Sequence, residues 1–210
     1  MKPAPVVCAL VLATATAHTL AAEKPRQTAQ KLHDEALKAF NAGELETAKT
    51  GFQKVLTISP DNAPALINLA LVEQRQHRYD DAERHLRAVL RTNLENATAW
   101  LILGIGAYEQ DKLDAAHAWL AQAVLHAPKD ARAHFYLGVT FGRRGWYSAG
   151  EDELRRAIEL DSKFADAHHN LALLYIERIP PAIELARRHY QKALELGAAP
   201  DERLAKRIEQ

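Results

Sequence analysis

The sequence predicts an all-α protein built from tandem helical hairpins, and two observations lead to this fold class. The first is a period of 34 residues, at which Ala48, Ala82 and Ala116 share one register. Pro60 and Pro128 stand two periods apart in another register. The second observation is that each period holds two apolar-periodic halves of about a dozen residues, joined by a short polar turn. A fixed period of this length is typical of a repeat array in which each unit packs on its neighbours.

The first 22 residues have the order of a secretory signal peptide, with Lys2 near the start and an apolar run from Val6 to Ala17. This run is too short to span a bilayer, which needs about 20 apolar residues, so we expect no membrane span in the mature chain. The single cysteine, Cys8, lies in this segment, and the mature chain would have no disulfide. We expect export, to the periplasm if the source is Gram-negative and otherwise to the medium. Cleavage is expected after Ala17, Ala21 or Ala22.

The remaining chain divides into a short linker or helix start at residues 23–28, five repeat units and a C-terminal segment. The units are 29–62, 63–96, 97–130, 131–164 and 165–200. In the fifth unit the turn is two residues longer and contains Pro180 and Pro181, so its first helix is expected to end there. Residues 201–210 are expected to form a capping helix that begins at Asp201 and buries Leu204 and Ile208.

The third unit carries a recognisable set of large and small residues: Trp100, Leu103, Gly104, Tyr108, Ala116, Leu120, Ala123 and Pro128. In this set the unit resembles the tetratricopeptide repeat, and the resemblance extends from Ala29 to Pro200. It implies a right-handed α-α superhelix with a concave groove that holds peptides or partner helices.

Three positions depart from this pattern. Leu94 and Ser162 replace the closing proline, so the helices before them are expected to continue towards the next unit. Gly150 replaces alanine inside a helix, which should cost about 1 kcal/mol unless close packing needs it.

The first helix of each unit has a second apolar side, opposite its core-facing side, at positions 2, 5, 9, 12 and 13 of the unit. The resemblance implies that this side lines the groove. Its apolar members are Leu37, Phe40, Ile67, Leu71, Leu101, Ile105, Tyr108, Phe135, Val139, Leu173 and Ile176. Polar residues on the same sites are Gln74, Arg75, Glu109, Arg132, Arg143, Asp166, His169 and Glu177. An apolar stripe with charged edges favours binding of a polypeptide, although about half of the stripe could instead be packing between neighbouring repeats.

Other functional classes find little support in the sequence. The 27 Lys and Arg balance the 27 Asp and Glu, so the basic surplus typical of nucleic-acid binding is missing. The ten histidines include the adjacent pair His168 and His169, which would point about 100° apart on a helix. No HExxH motif accompanies them, and we expect neither a metal nor another cofactor.

The sequence thus predicts an exported, non-catalytic adaptor that binds a protein or peptide in its groove as an assembly or biogenesis factor. The alternative is a structural repeat protein that assembles with copies of itself, so a homo-oligomer stays possible.

Overall fold

The computed structural model describes the backbone of residues 7–209 and the side chains of residues 23–209. The predicted signal peptide therefore lies outside the residues whose side chains are described. Over the described backbone the chain forms eleven α-helices and no strand, which confirms the all-α fold class. None of the helices searched in this part of the chain is long and apolar enough to cross a membrane.

The helices follow one another with short connections. Their bounds are α1 Val7–Asn41, α2 Leu45–Ile58, α3 Ala63–Arg75, α4 Tyr79–Thr92, α5 Ala97–Glu109, α6 Leu113–His126, α7 Ala131–Arg143, α8 Tyr147–Leu160, α9 Ala165–Glu177, α10 Ile183–Glu195 and α11 Glu202–Glu209. Residues 23–28 belong to α1, which continues through Pro25.

The chain divides into two compact units, Met1–Val89 and Leu90–Gln210. In the first unit α1 packs against α2, and α3 contacts both of them. In the second unit α5 with α6, α7 with α8 and α9 with α10 form hairpins, while α6 contacts α7 and α8 contacts α9. Within the second unit, each hairpin therefore packs against the next one, as a repeat array requires.

The helix starts repeat the 34-residue period at the level of hydrogen bonds. The side chains of Asn62 and Asn96 accept a bond of 2.9 Å from the backbone N–H three residues later, and Asp130 accepts one of 2.8 Å from the Arg132 N–H. These bonds satisfy backbone donors that have no partner inside α3, α5 and α7. An asparagine or aspartate side chain at the same register thus fixes where each of these helices begins.

The expectation that two helices continue in the absence of a closing proline is wrong. Helix α4 ends at Thr92 and α8 ends at Leu160. Directly after these ends, Asn93 accepts a 3.0 Å hydrogen bond from the Glu95 N–H, and Asp161 accepts one of 3.0 Å from the Lys163 N–H. Such local turns of Asn and Asp compete with the helical backbone bonds and terminate the helix without proline.

Gly150 is required by close packing between α7, α8 and α9. A Cβ at this position would lie 2.8 Å from Leu174 Cδ1, 3.0 Å from the Gly138 carbonyl oxygen and 3.3 Å from the Gly142 nitrogen. The methyl group present in the equivalent alanines would press on the Gly138 carbonyl oxygen and would require the Leu174 side chain to shift. Close packing therefore explains why glycine replaces alanine at this position of the repeat.

The C-terminal helix α11 closes the second unit as predicted. Leu204 and Ile208 are buried against α9 and α10. Asp201 accepts hydrogen bonds from the Leu204 N–H at 3.0 Å and the Arg203 N–H at 2.9 Å, and the bond from Leu204 is the main reason why its pKa is lowered. The Tyr190 hydroxyl accepts a 2.8 Å bond from the Asp201 N–H, which fixes the start of α11 on α10.

Candidate functional site

The predicted groove side chains divide by burial into two sets. Six have at most 9% of their surface exposed and contribute mainly to packing: Phe40, Leu101, Ile105, Phe135, Val139 and Ile176. Five are partly exposed and offer apolar surface to a partner: Leu37, Ile67, Leu71, Tyr108 and Leu173. The available apolar surface is therefore smaller than the sequence stripe.

The polar members of the predicted groove also have distinct environments. Arg75, Glu109, Arg132 and Arg143 are exposed, whereas Gln74 and His169 are partly buried. The His169 Nε2 atom lies 3.4 Å from Asp201 Oδ2, so this histidine contacts the residue that begins the C-terminal helix.

In the first unit the partly exposed surface lies on α1 and α3. Leu37 of α1 and Leu71 of α3 pack against the core cluster that includes Phe52. The Arg75 guanidinium lies 4.1 Å from the centroid of the Phe40 ring, a cation–π contact that covers this buried aromatic side chain. This part of the predicted stripe is thus a shallow apolar surface edged by a cation.

In the second unit five predicted groove residues line one cavity of about 260 Å³. They are Tyr108, Val139, Arg143, Leu173 and Glu177. The other lining residues are Gly138, Gly142, Tyr147, Leu154, Asn170 and Leu174. We call this space the Gly142 cavity, because Gly142 occupies the register position that holds Tyr108 one repeat earlier and Ile176 one repeat later.

Gly142 was not predicted as a site residue, because the groove was predicted from side chains that could contact a partner and glycine has none. The available signal was a missing side chain at position 12 of the fourth unit. A Cβ built on Gly142 would meet only Leu174 Cδ1, at 3.9 Å, among the atoms considered around it. Tyr147, Asn170 and Leu174 were also missed, because their contribution depends on how α8 and α9 pack beside α7.

The charged residues at the mouth of the Gly142 cavity are already paired within the fold. Arg143 Nη2 donates to Asp111 Oδ1 at 2.7 Å, and the guanidinium lies 5.0 Å from the centroid of the Tyr108 ring. Glu177 forms an ion pair with Arg207 of α11, which also donates to the Ile176 carbonyl oxygen at 3.3 Å. These contacts hold a neutralised polar rim around an apolar floor.

Three histidines, His134, His168 and His189, contact residues of neighbouring helices or turns. The ring of His134 lies between Glu153 Oε2, at 2.6 Å, and the Pro128 carbonyl oxygen, at 3.1 Å. The Nδ1 atoms of His168 and His189 are 3.0 Å apart, and their rings stack. Among the described residues, no group of three or more His, Cys, Asp and Glu side chains is arranged to hold a metal ion.

Part of the chain matches a known family model. Residues 67–124 and 103–163 match the family model of the tetratricopeptide repeat. The match covers 97 of the 210 residues, and the Gly142 cavity is formed largely by helices within this stretch. No curated protein matches the sequence.

Several solved structures share the fold of this chain. The Pseudomonas aeruginosa pilF protein is 22% identical with a TM-score of 0.78, and the match covers 89% of this chain and 86% of that one. YrrB, a TPR protein with an unusual peptide-binding site, is 24% identical with a TM-score of 0.66, covering 91% and 96%. MamA is also 24% identical with a TM-score of 0.66, covering 86% and 95%. At these identities the similarity establishes the fold alone.

Proposed function

We propose that the protein is a non-catalytic scaffold that binds a segment of another protein along the groove side of its first helices. The observation that carries the proposal is the Gly142 cavity, where Tyr108, Val139, Arg143 and Leu173 come together. It combines a recessed apolar floor with polar groups at its edge, which is the usual composition of a recognition site. The peptide-binding site of YrrB, a protein of the same fold, is consistent with this function.

The proposal extends to where the protein works. The apolar segment from Val6 to Ala17 supports export, and we propose a role as an assembly or biogenesis factor outside the cytoplasm. A short apolar groove suits such a role, because transient partners are held through a few side chains rather than a large permanent interface.

The test is partner capture with a double variant, Tyr108→Asp with Leu173→Glu. Both side chains are partly exposed, so acidic groups there can be solvated and the fold should persist. Leu101 is unsuitable because only 4% of its surface is exposed. We expect at least a tenfold loss of partners recovered from the extracytoplasmic fraction of the source, since a carboxylate would replace apolar contact at the cavity.

The matched control is Leu94→Glu with Leu125→Glu, two leucines that are each 67% exposed and do not line the cavity. This variant makes a similar apolar-to-acidic change and should retain capture. Equal capture by the two double variants would refute the site. The intact mass of the recovered protein would also show whether cleavage occurs after Ala17, Ala21 or Ala22.

A further inference from the structure

The Gly142 cavity exists because one repeat lacks a side chain that its neighbours have. Position 12 of the first helix is Tyr108 in the third unit and Ile176 in the fifth, and in the fourth unit it is Gly142. Leu174 approaches the place of the missing Cβ only to 3.9 Å, an ordinary contact distance. The surrounding helices have therefore not closed over the space, which belongs to the cavity of about 260 Å³.

The size of the cavity limits what it can hold. Its volume of about 260 Å³ lies below the roughly 300–1,000 Å³ of pockets for drug-sized ligands. A whole helix or a cofactor does not fit, whereas a single large side chain does. Val139, Leu154 and Leu174 provide an apolar floor, which favours a hydrocarbon or aromatic group.

Charge at the rim selects against an ionised occupant. Arg143 is engaged by Asp111, and Glu177 is engaged by Arg207. An incoming carboxylate or ammonium group would lose water on entering the cavity, and the two charged rim groups already have partners within the fold. The complementary occupant is uncharged.

We propose that the Gly142 cavity is an anchor site for one large, uncharged apolar side chain of the partner polypeptide, and that Gly142 determines which side chains fit. The inference rests on the proposed function, which supplies the polypeptide, and it adds the chemistry of the residue that is recognised. Phenylalanine, leucine and methionine side chains match the volume and the floor, whereas aspartate, glutamate and lysine do not.

The direct test uses blocked amino acids as probes of the full chain. N-acetyl-phenylalaninamide, N-acetyl-leucinamide, N-acetyl-alaninamide and N-acetyl-glutamate amide are titrated while the methyl signals of Val139, Leu173 and Leu174 are followed by NMR. We expect saturable shifts with the phenylalanine and leucine probes, with dissociation constants of about 1–10 mM as expected for ligands of this size. The alanine and glutamate probes should bind at least tenfold more weakly.

Variants at one position then test the role of the missing side chain. Gly142→Met should fill the cavity and weaken the phenylalanine probe at least tenfold. Gly142→Ala adds a methyl group that the structure accommodates, so binding should remain within about threefold of wild type. Ser148→Met, at an exposed site on α8, is the matched control and should leave binding unchanged.

Three results would overturn the anchor: no saturable shift with the phenylalanine or leucine probe, equal affinity for the glutamate probe, or unchanged binding to folded Gly142→Met. If Gly142→Met fails to fold, the probe ranking on the wild type and on Gly142→Ala decides. If only the anchor proposal is wrong, the variant with Tyr108→Asp and Leu173→Glu will still capture less partner than the control with Leu94→Glu and Leu125→Glu. Failure of the proposed function would remove that difference, so the two failures are distinguishable.

Discussion

At the scale of single residues, two glycines on facing helices have opposite roles, and this gives a paired prediction. Gly150→Ala should destabilise the protein by about 1 kcal/mol, because overpacking costs about 1–3 kcal/mol and the helix propensity of alanine returns only about 1 kcal/mol. Gly142→Ala should be neutral or stabilising by up to about 1 kcal/mol, since its Cβ meets no atom closer than 3.9 Å. Urea unfolding of both variants measures the difference. A Gly150→Ala protein as stable as Gly142→Ala would contradict the packing described here.

The same residues mark the limit of what could be predicted from the sequence. The 34-residue register identified Gly150 as an exception, but only the positions of Leu174 and of the Gly138 carbonyl oxygen show why alanine is unfavourable there. The apolar groove stripe was predicted as a set, whereas Leu101 is buried and Leu173 is partly exposed. Burial depends on how far the neighbouring helix reaches over each side chain, and periodicity carries no information on that distance.

At the scale of elements, the contact between α9 and α10 predicts a dependence of stability on pH. His168 and His189 meet across this hairpin with Nδ1 atoms 3.0 Å apart. Burial lowers both pKa values, that of His189 to about 4. Besides burial, the charge of Lys192 lowers the pKa of His168. The pKa of His189 is lowered further by His168, Arg155 and Arg188, and Glu151 acts in the opposite direction. Protonation therefore favours the unfolded chain, in which both histidines have a pKa of about 6.5.

The contribution of this pair should be fully present above pH 6.5 and decrease as the pH falls towards 4. Thermal unfolding between pH 7.5 and 4.5 measures it as a falling Tm. His189→Gln should flatten this part of the profile, because the uncharged amide removes the second titrating ring. Leu125→Gln, at an exposed site on α6, is the control and should keep the slope of the wild type. Parallel profiles for wild type and His189→Gln would assign the pH dependence to other groups.

Helix ends show a similar division between local and non-local information. The starts of α3, α5 and α7 follow directly from Asn62, Asn96 and Asp130, because a cap acts within three residues of its own position. The ends of α4 and α8 were predicted wrongly by analogy with the proline positions, although Asn93 and Asp161 carried the correct local signal. Turn chemistry of individual residues was more informative here than the repeat consensus.

At the scale of the whole molecule, the 34-residue period accounts for the fold of the second unit, because successive hairpins in it meet through equivalent surfaces. Within Leu90–Gln210, the second helix of one hairpin contacts the first helix of the next, as α6 does with α7 and α8 does with α9. The sequence of each hairpin therefore needs to specify only its two helices and one type of interface with the next hairpin. The binding site follows different rules, since the Gly142 cavity arises where the fourth unit departs from that equivalence.

This equivalence predicts that one repeat can be removed in register. Deletion of residues 131–164 joins Asp130 to Ala165, so the cap at Asp130 precedes α9 as it now precedes α7. The shortened chain should lose the signal of two helices in circular dichroism and unfold at lower urea concentration, because one interface between hairpins is lost. It should also lose binding of the phenylalanine probe, since Val139 and Gly142 are removed.

Deletion of residues 131–147 is the control. It removes half a period and places a second helix next to α6 without its partner, so it should abolish cooperative unfolding. Similar unfolding curves for the two deletions would show that the period does not set the packing.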